Sequence, residues 1–173
     1  IYCLLICCPL YNYYYKIFKY IYMSKKDWGN ASWFLFHTLA EKLRPEYSTE
    51  SATLLSMIIN LCSHLPCDDC STHAKNTLHN ANTSMVRDKE SLKKFLWEFH
   101  NIVNKRLRKR QFNYVDCSKK YKYARTNNII AYFNRSFINA TRTNKLVLGA
   151  HNRNQTKNSF LNYLHRNLYK FSP

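Results

Sequence analysis

Acidic residues are scarce in this chain: ten Asp and Glu stand against 27 Lys and Arg, for a formal net charge of +17. The shortage is sharpest late in the sequence, where 16 of the cations lie beyond Glu98 and the only acid is Asp116. Such a balance points to an anionic partner (nucleic acid, phospholipid or a phosphate-bearing cofactor) or to a solvated basic tail. No nucleic-acid motif of fixed spacing accompanies the charge, so composition names no specific nucleic-acid partner. Glycine and proline are also few, at two and four. Tyr, Asn, Lys, Ile and Phe abound instead; they share AT-rich codons, and coding bias weakens any argument from their frequency. The seven cysteines, at 3, 7, 8, 62, 67, 70 and 117, repeat no spacing. That excludes a secreted multi-disulfide scaffold and suits a reducing compartment holding one working dithiol. A length of 173 residues with 46% hydrophobic content fits one domain with tails.

Residues 1–22 are apolar and aromatic, with Lys16 and Lys19 late in the run. They lack the basic start and small-residue cleavage site of a signal peptide. Two readings remain: a membrane anchor, or translated upstream sequence preceding a start at Met23, which is the one favoured. From Trp28 the pattern becomes helical, with Trp33, Phe36, His37 and Ala40 along one face up to Pro45. Helices are expected at Ser51–His64, at Cys67–Asn80 behind Pro66, and at Ser91–Arg108, with a short fifth at Val115–Tyr123. After Arg125 the signal decays: a turn or two of helix around Ile129–Phe133, another at Ser159–Tyr169, and loop or disorder over Asn139–Asn158. The expected fold is all-α, a four-helix bundle with a short fifth helix and a basic, poorly structured C-terminal extension. Its parts are the segment 1–22, a domain over 23–124 and a tail of no assigned function over 125–173.

Cys67-Asp68-Asp69-Cys70 is the chemically pointed feature. Two thiols at i and i+3 on a helix share a face and lie close enough to bridge. A helix N-terminus stabilises a thiolate, whereas Asp68 and Asp69 place negative charge beside both sulfurs. A lone C-x-x-C is a redox couple, half a zinc site or an accident. The zinc reading recruits Cys62, Cys67, Cys70 and His73 and makes the chain a zinc-stabilised basic adaptor for nucleic acid. A thioredoxin-type pair is disfavoured, because no alternating strands surround it.

Two flanking motifs bear on the choice. Gly29 to Ala40 matches G-R-x-x-W-x-x-L-H-x-x-A, with Asn30 in place of Arg and Phe36 in place of Leu. His100-Asn101-Ile102-Val103-Asn104-Lys105-Arg106-Leu107 matches H-N-x-V-N-x-x-L. Bracketing the cysteine pair at these distances, they resemble the Erv/ALR family of FAD-linked sulfhydryl oxidases over about residues 28–123. Leu65-Pro66-Cys67 resembles the compact viral members.

The resemblance implies that Cys67 and Cys70 form the active disulfide, Cys67 meeting the substrate dithiol and Cys70 facing the flavin. Electrons would pass from that dithiol to the pair, to FAD and to oxygen, giving hydrogen peroxide, and no metal would take part. Trp33 and His37 would line the cofactor wall, although taken singly the favoured reading of each is a core aromatic and a buried histidine. His100, Asn101, Val103, Asn104 and Leu107 would hold the ADP half, with Lys105 and Arg108 toward the pyrophosphate. Lys120-Tyr121 resembles a basic–Trp pair that contacts the cofactor in this family, with Tyr replacing Trp, and would do so here. The family's second, structural disulfide falls at Trp97 and Tyr114, so that brace is absent. The expected partners are a protein dithiol substrate or a thioredoxin-like relay protein, and a second copy of the chain in a homodimer. A viral origin implies the host cytoplasm or the virion, and a non-viral one an intracellular setting, with membrane contact only through residues 1–22.

Overall fold

The computed structural model describes the backbone of residues 9–143 and 149–173, and the side chains of 25–140 and 149–173. Cys3, Cys7 and Cys8 lie outside the described residues. Seven α-helices run through them: α1 (Pro9–Lys42), α2 (Ser51–Cys62), α3 (Asp68–His79), α4 (Lys89–Arg106), α5 (Tyr114–Tyr121), α6 (Thr126–Thr143) and α7 (Ala150–Arg166). The helix expected near Trp28 therefore starts much earlier, because no proline interrupts the stretch after Pro9, itself suited to a first helical position. No helix among the described residues is long and apolar enough to cross a membrane.

Each inner helix buries a stripe at helical spacing. In α2 it is Leu54, Leu55, Ile58, Leu61 and Cys62; in α4 it is Leu92, Leu96 and Phe99. A capping box starts α4: Ser91 N–H donates to Asp88 Oδ1 at 2.8 Å, and Asp88 N–H donates to Ser91 Oγ at 3.0 Å. The Ser91 N–H and the Ser91 hydroxyl, both donating to Asp88 Oδ1, hold the Asp88 carboxyl below its ordinary range. At the other end Arg108 takes φ 53°. Lys109 N–H donates to Asn104 O at 2.8 Å, and Arg108 N–H to Lys105 O at 3.1 Å. This left-handed stop normally favours glycine, and it turns the chain back toward α4.

The C-terminal extension is where the structure departs from expectation. Residues 126–143 and 150–166 are helical, so much of the expected 139–158 loop is helix, while 144–148 lie outside the described residues. Helix α6 buries Ile130, Phe133, Phe137 and Ala140 and packs along α1; α7 packs against α2 and α6. Phe133 meets Phe160 of α7 edge to face at 6.5 Å. The stripe of α7 begins with Arg153 and Lys157 before reaching Phe160, Leu161 and Leu164, all of them buried. Two cations at core positions hide the amphipathic pattern when the sequence is read by hydropathy alone.

The last residues tie back to the end of α1. Ser172 N–H donates to Lys42 O at 2.7 Å, Arg44 N–H to Lys170 O at 2.9 Å and Thr126 Oγ1 to Ser172 O at 2.7 Å. Lys170 pairs with Glu50 at 3.0 Å, and Phe171 is buried. The extension thus shares the core of the bundle. Phe133→Ala should cost about 3–5 kcal/mol, read as a lower denaturant midpoint in one cooperative transition. A loss below about 0.5 kcal/mol, the usual surface value, would mean that the extension does not contribute to the core.

Candidate active site

Three helices bring four flat rings into one stack. Trp33 of α1 lies face to face with His100 of α4, with centroids 3.9 Å apart and planes 4° from parallel. His37, one turn after Trp33, stacks on Tyr121 of α5 at 4.8 Å and 13°. The two imidazoles join through His37 Nε2 and His100 Nδ1 at 3.0 Å. The resemblance-based residues Trp33, His37, His100 and Tyr121 are therefore neighbours, and Lys120 lies 4.9 Å from the Phe34 ring beside them.

Both imidazoles are held uncharged. Burial, with the nearby Lys120 cation, pulls His37 from 6.5 down to about 3. Burial, the facing His37, Lys120 and Lys109 push His100 down as well. Cys117 Sγ lies 3.5 Å from His37 Nδ1, and burial pushes its thiol up to about 11. A protonated Cys117 donating to His37 Nδ1 leaves the His37 Nε2–H to donate to His100 Nδ1. His100 then keeps its own proton on Nε2. No motif in the sequence marks Cys117, which lies three residues past Tyr114.

The remaining residues of the second motif divide by role. Asn101 clamps the backbone of Phe112, its Nδ2 donating to Phe112 O at 2.9 Å and its Oδ1 accepting from Phe112 N–H at 3.2 Å. Trp97 Nε1 donates to the same carbonyl at 2.8 Å. These bonds hold the Phe112 ring edge-on to His100 at 4.9 Å. Asn104 is buried, Val103 is half-buried against the core, and Lys105, Leu107 and Lys120 are exposed. Trp97 and Tyr114, at the positions of the missing disulfide, meet edge to face at 5.8 Å, so an aromatic contact joins α4 to α5 there.

The cysteine pair sits at the start of α3. Cys67 is the N-cap, its Sγ accepting from Cys70 N–H at 3.3 Å, and the two are joined in a disulfide with Cα atoms 5.2 Å apart. Ser71 knits the preceding turn: its Oγ accepts from Leu65 N–H at 2.9 Å and donates to Leu65 O at 3.3 Å. Cys67 is buried in the hydrophobic core, and Cys70, half-buried, packs against it. Arg153 of α7 also reaches this turn, its Nε donating to Leu65 O at 2.9 Å and its guanidinium pairing with Asp68.

A zinc site gains no support from this geometry. Cys67 and Cys70 are bonded to each other, and Cys62 lies in the apolar core with its thiol pushed up to about 12 by burial. His64 bonds Asn60 O and His73 approaches Thr77. Among the described residues no three metal-ligating side chains converge. A flat heteroaromatic ligand bearing phosphate fits the donor set better. Trp33 and His100 keep part of their ring surface open, the imidazoles are neutral hydrogen-bonding groups, and Lys105 and Lys120 supply exposed cations.

The neutral histidines make stability depend on pH. In the unfolded chain they bind protons below about 6.5, whereas in the fold they do not until about 3 for His37. Their contribution is therefore complete above 6.5 and is lost as pH falls through that window. Denaturant midpoints should show a loss of up to about 1.4 kcal/mol per histidine per pH unit. In His37→Asn that slope, between about pH 6.5 and about pH 5, should fall by roughly half; an unchanged slope would place the acid sensitivity elsewhere.

The model of the Erv1/Alr family matches residues 30–126. The mitochondrial FAD-linked sulfhydryl oxidase ERV1 of Saccharomyces cerevisiae is 30% identical over 95 residues, 54% of this chain and 50% of the relative. The FAD-linked sulfhydryl oxidase ERV1 of Arabidopsis thaliana is 29% identical over 91 residues, 52% of this chain and 47% of the relative. A putative FAD-linked sulfhydryl oxidase, 096R, of Invertebrate iridescent virus 3 is 30% identical over 102 residues, covering 58% of this chain and 69% of that protein. The chain spans about half the length of the cellular relatives it matches. No solved structure gives a significant match. Since the matched segment takes in the ring stack, the cysteine pair and α5, and covers more than half of the sequence, the chain belongs to the Erv1/Alr family.

Proposed function

We propose that this protein is an FAD-linked thiol oxidase that forms disulfides in protein substrates. The observation that carries the reading is the Cys67–Cys70 disulfide at the start of α3, set against the hydrophobic core, in a chain of the Erv1/Alr family. Trp33, His37, His100 and Tyr121 would hold the flat portions of FAD, Asn104 would bond a ring edge, and Lys105 and Lys120 would face its diphosphate. Val103 and Leu107 would border it on the apolar side. Asn101 would act through Phe112, whose ring it sets against His100. When bound, FAD supplies a two-electron acceptor that oxygen reoxidises, with hydrogen peroxide as product.

The cysteines carry the protein's own part of the reaction. A substrate thiolate attacks Cys67 Sγ, the Cys67–Cys70 bond breaks, and Cys70 leaves as thiolate. The second substrate thiol displaces Cys67 from the mixed disulfide, and the substrate leaves oxidised. The N-terminus of α3, where Cys67 caps the helix, favours the anionic sulfurs formed in both steps. Because the pair is reduced in each turnover, a protein dithiol or a thioredoxin-like relay protein is the fitting partner. The homodimer is likewise carried over from the family, and the iridescent-virus relative supports a host-cell or virion setting.

The purified chain should be yellow, bleach with dithiothreitol and recover in air. Cys70→Ala should keep the colour and lose dithiol-dependent oxygen uptake down to the enzyme-free level. A colourless parent protein would overturn the FAD assignment, and uptake surviving in Cys70→Ala would overturn the roles given to the pair.

A further inference from the structure

Arg153 is the charged side chain that α7 inserts at the redox turn. Its side chain is 7% exposed, while that of its partner Asp68 is 71% exposed, so a buried cation holds a carboxylate that water otherwise surrounds. The two acceptors of Arg153 flank Cys67 in sequence: the Leu65 carbonyl lies two residues before it and the Asp68 carboxylate one residue after. Guanidinium suits this task, since its rigid fork can meet two acceptors at once and stays charged when desolvated. Lysine, with one ammonium on a flexible stem, cannot hold both in the same geometry. Arg153 lies beyond residue 126, outside the segment that the family model matches.

We propose that Arg153 is a positioning residue for the Cys67–Cys70 pair. It fixes the turn that presents Cys67 and offsets the Asp68 charge where anionic sulfur forms. The inference rests on the redox role proposed for that pair. Two electrons from a dithiol convert the disulfide to two thiols, through attack on Cys67 Sγ, release of Cys70 as thiolate and then release of Cys67. Each departing sulfur is an anion next to Asp68 and Asp69. A neighbouring cation lowers the cost of that charge, so the reduced pair is favoured while Arg153 is in place.

The test is the redox equilibrium of the pair in the full-length chain, poised without oxygen in mixtures of reduced and oxidised dithiothreitol. The reduced fraction is read from alkylation of Cys67 by mass spectrometry, and the melting temperature is followed in parallel. Arg153→Gln should shift the equilibrium toward the disulfide by roughly fivefold or more, and Arg153→Lys by an intermediate roughly threefold. Equilibria of both variants within about twofold of the parent would overturn the proposal, whatever happens to the melting temperature, because a purely structural contact moves only the latter. If Arg153→Gln does not fold, the Arg153→Lys value decides by the same limits. The readout uses neither oxygen uptake nor flavin colour, so failure of the oxidase reading would appear in those assays and not here.

Discussion

A 3.0 Å contact between two uncharged imidazoles, His37 and His100, closes the bundle where α1 meets α4. Burial is what makes it work. A charged imidazole would carry a desolvation penalty and repel both its neighbour and Lys120, so the pair stays neutral and can share a hydrogen bond. Trp33 and Tyr121 cover the outer faces of the two rings, and Cys117 occupies the last free nitrogen of His37. The positions of α1, α4 and α5 are thereby set relative to one another, and with them the open ring surface at which a flat ligand can bind.

The same economy of polar groups recurs around the stack. Asn101 spends its whole amide on the backbone of Phe112, which lets a chain that has just reversed through Arg108 return against α4. Trp97 and Tyr114 then meet at the two positions where the sequence resemblance would place a disulfide brace. An edge-to-face aromatic pair is worth about 0.5–1.5 kcal/mol beyond its buried area, less than a disulfide of that span contributes at about 3 kcal/mol. Tyr114 adds a 3.0 Å bond to Glu90, and burial together with that bond holds its phenol above the ordinary range.

The basic half of the chain is not one surface. Lys105 to Arg110 are exposed at the end of α4, where cations favour the helix dipole and face solvent. Arg153, Lys157 and Lys170 are buried among helices, two of them against a carboxylate. Desolvation pulls Lys157 below its ordinary range, whereas the bond to Glu50 holds Lys170 above it. Net charge therefore overstates what an anionic partner would meet, since part of it serves the packing of the extension.

The amino-acid sequence by itself determined the helices whose apolar stripes are uninterrupted, such as Leu54 to Cys62 and Leu92 to Phe99. It also determined the spacing that puts Cys67 and Cys70 within bridging distance and Trp33 and His37 on one face. These are local consequences of the 3.6-residue period, and they need no knowledge of what packs outside. Tertiary structure alone decided that α7 is an inner helix, because Arg153 and Lys157 read as solvent-facing until their neighbours are known. It likewise decided that Asn101 points at Phe112, that Cys117 meets His37, and that Arg153 from the far end of the chain reaches Asp68. Those contacts join residues 11 to 85 positions apart. No periodicity encodes such pairings, and they form only when burial removes water as the competing partner.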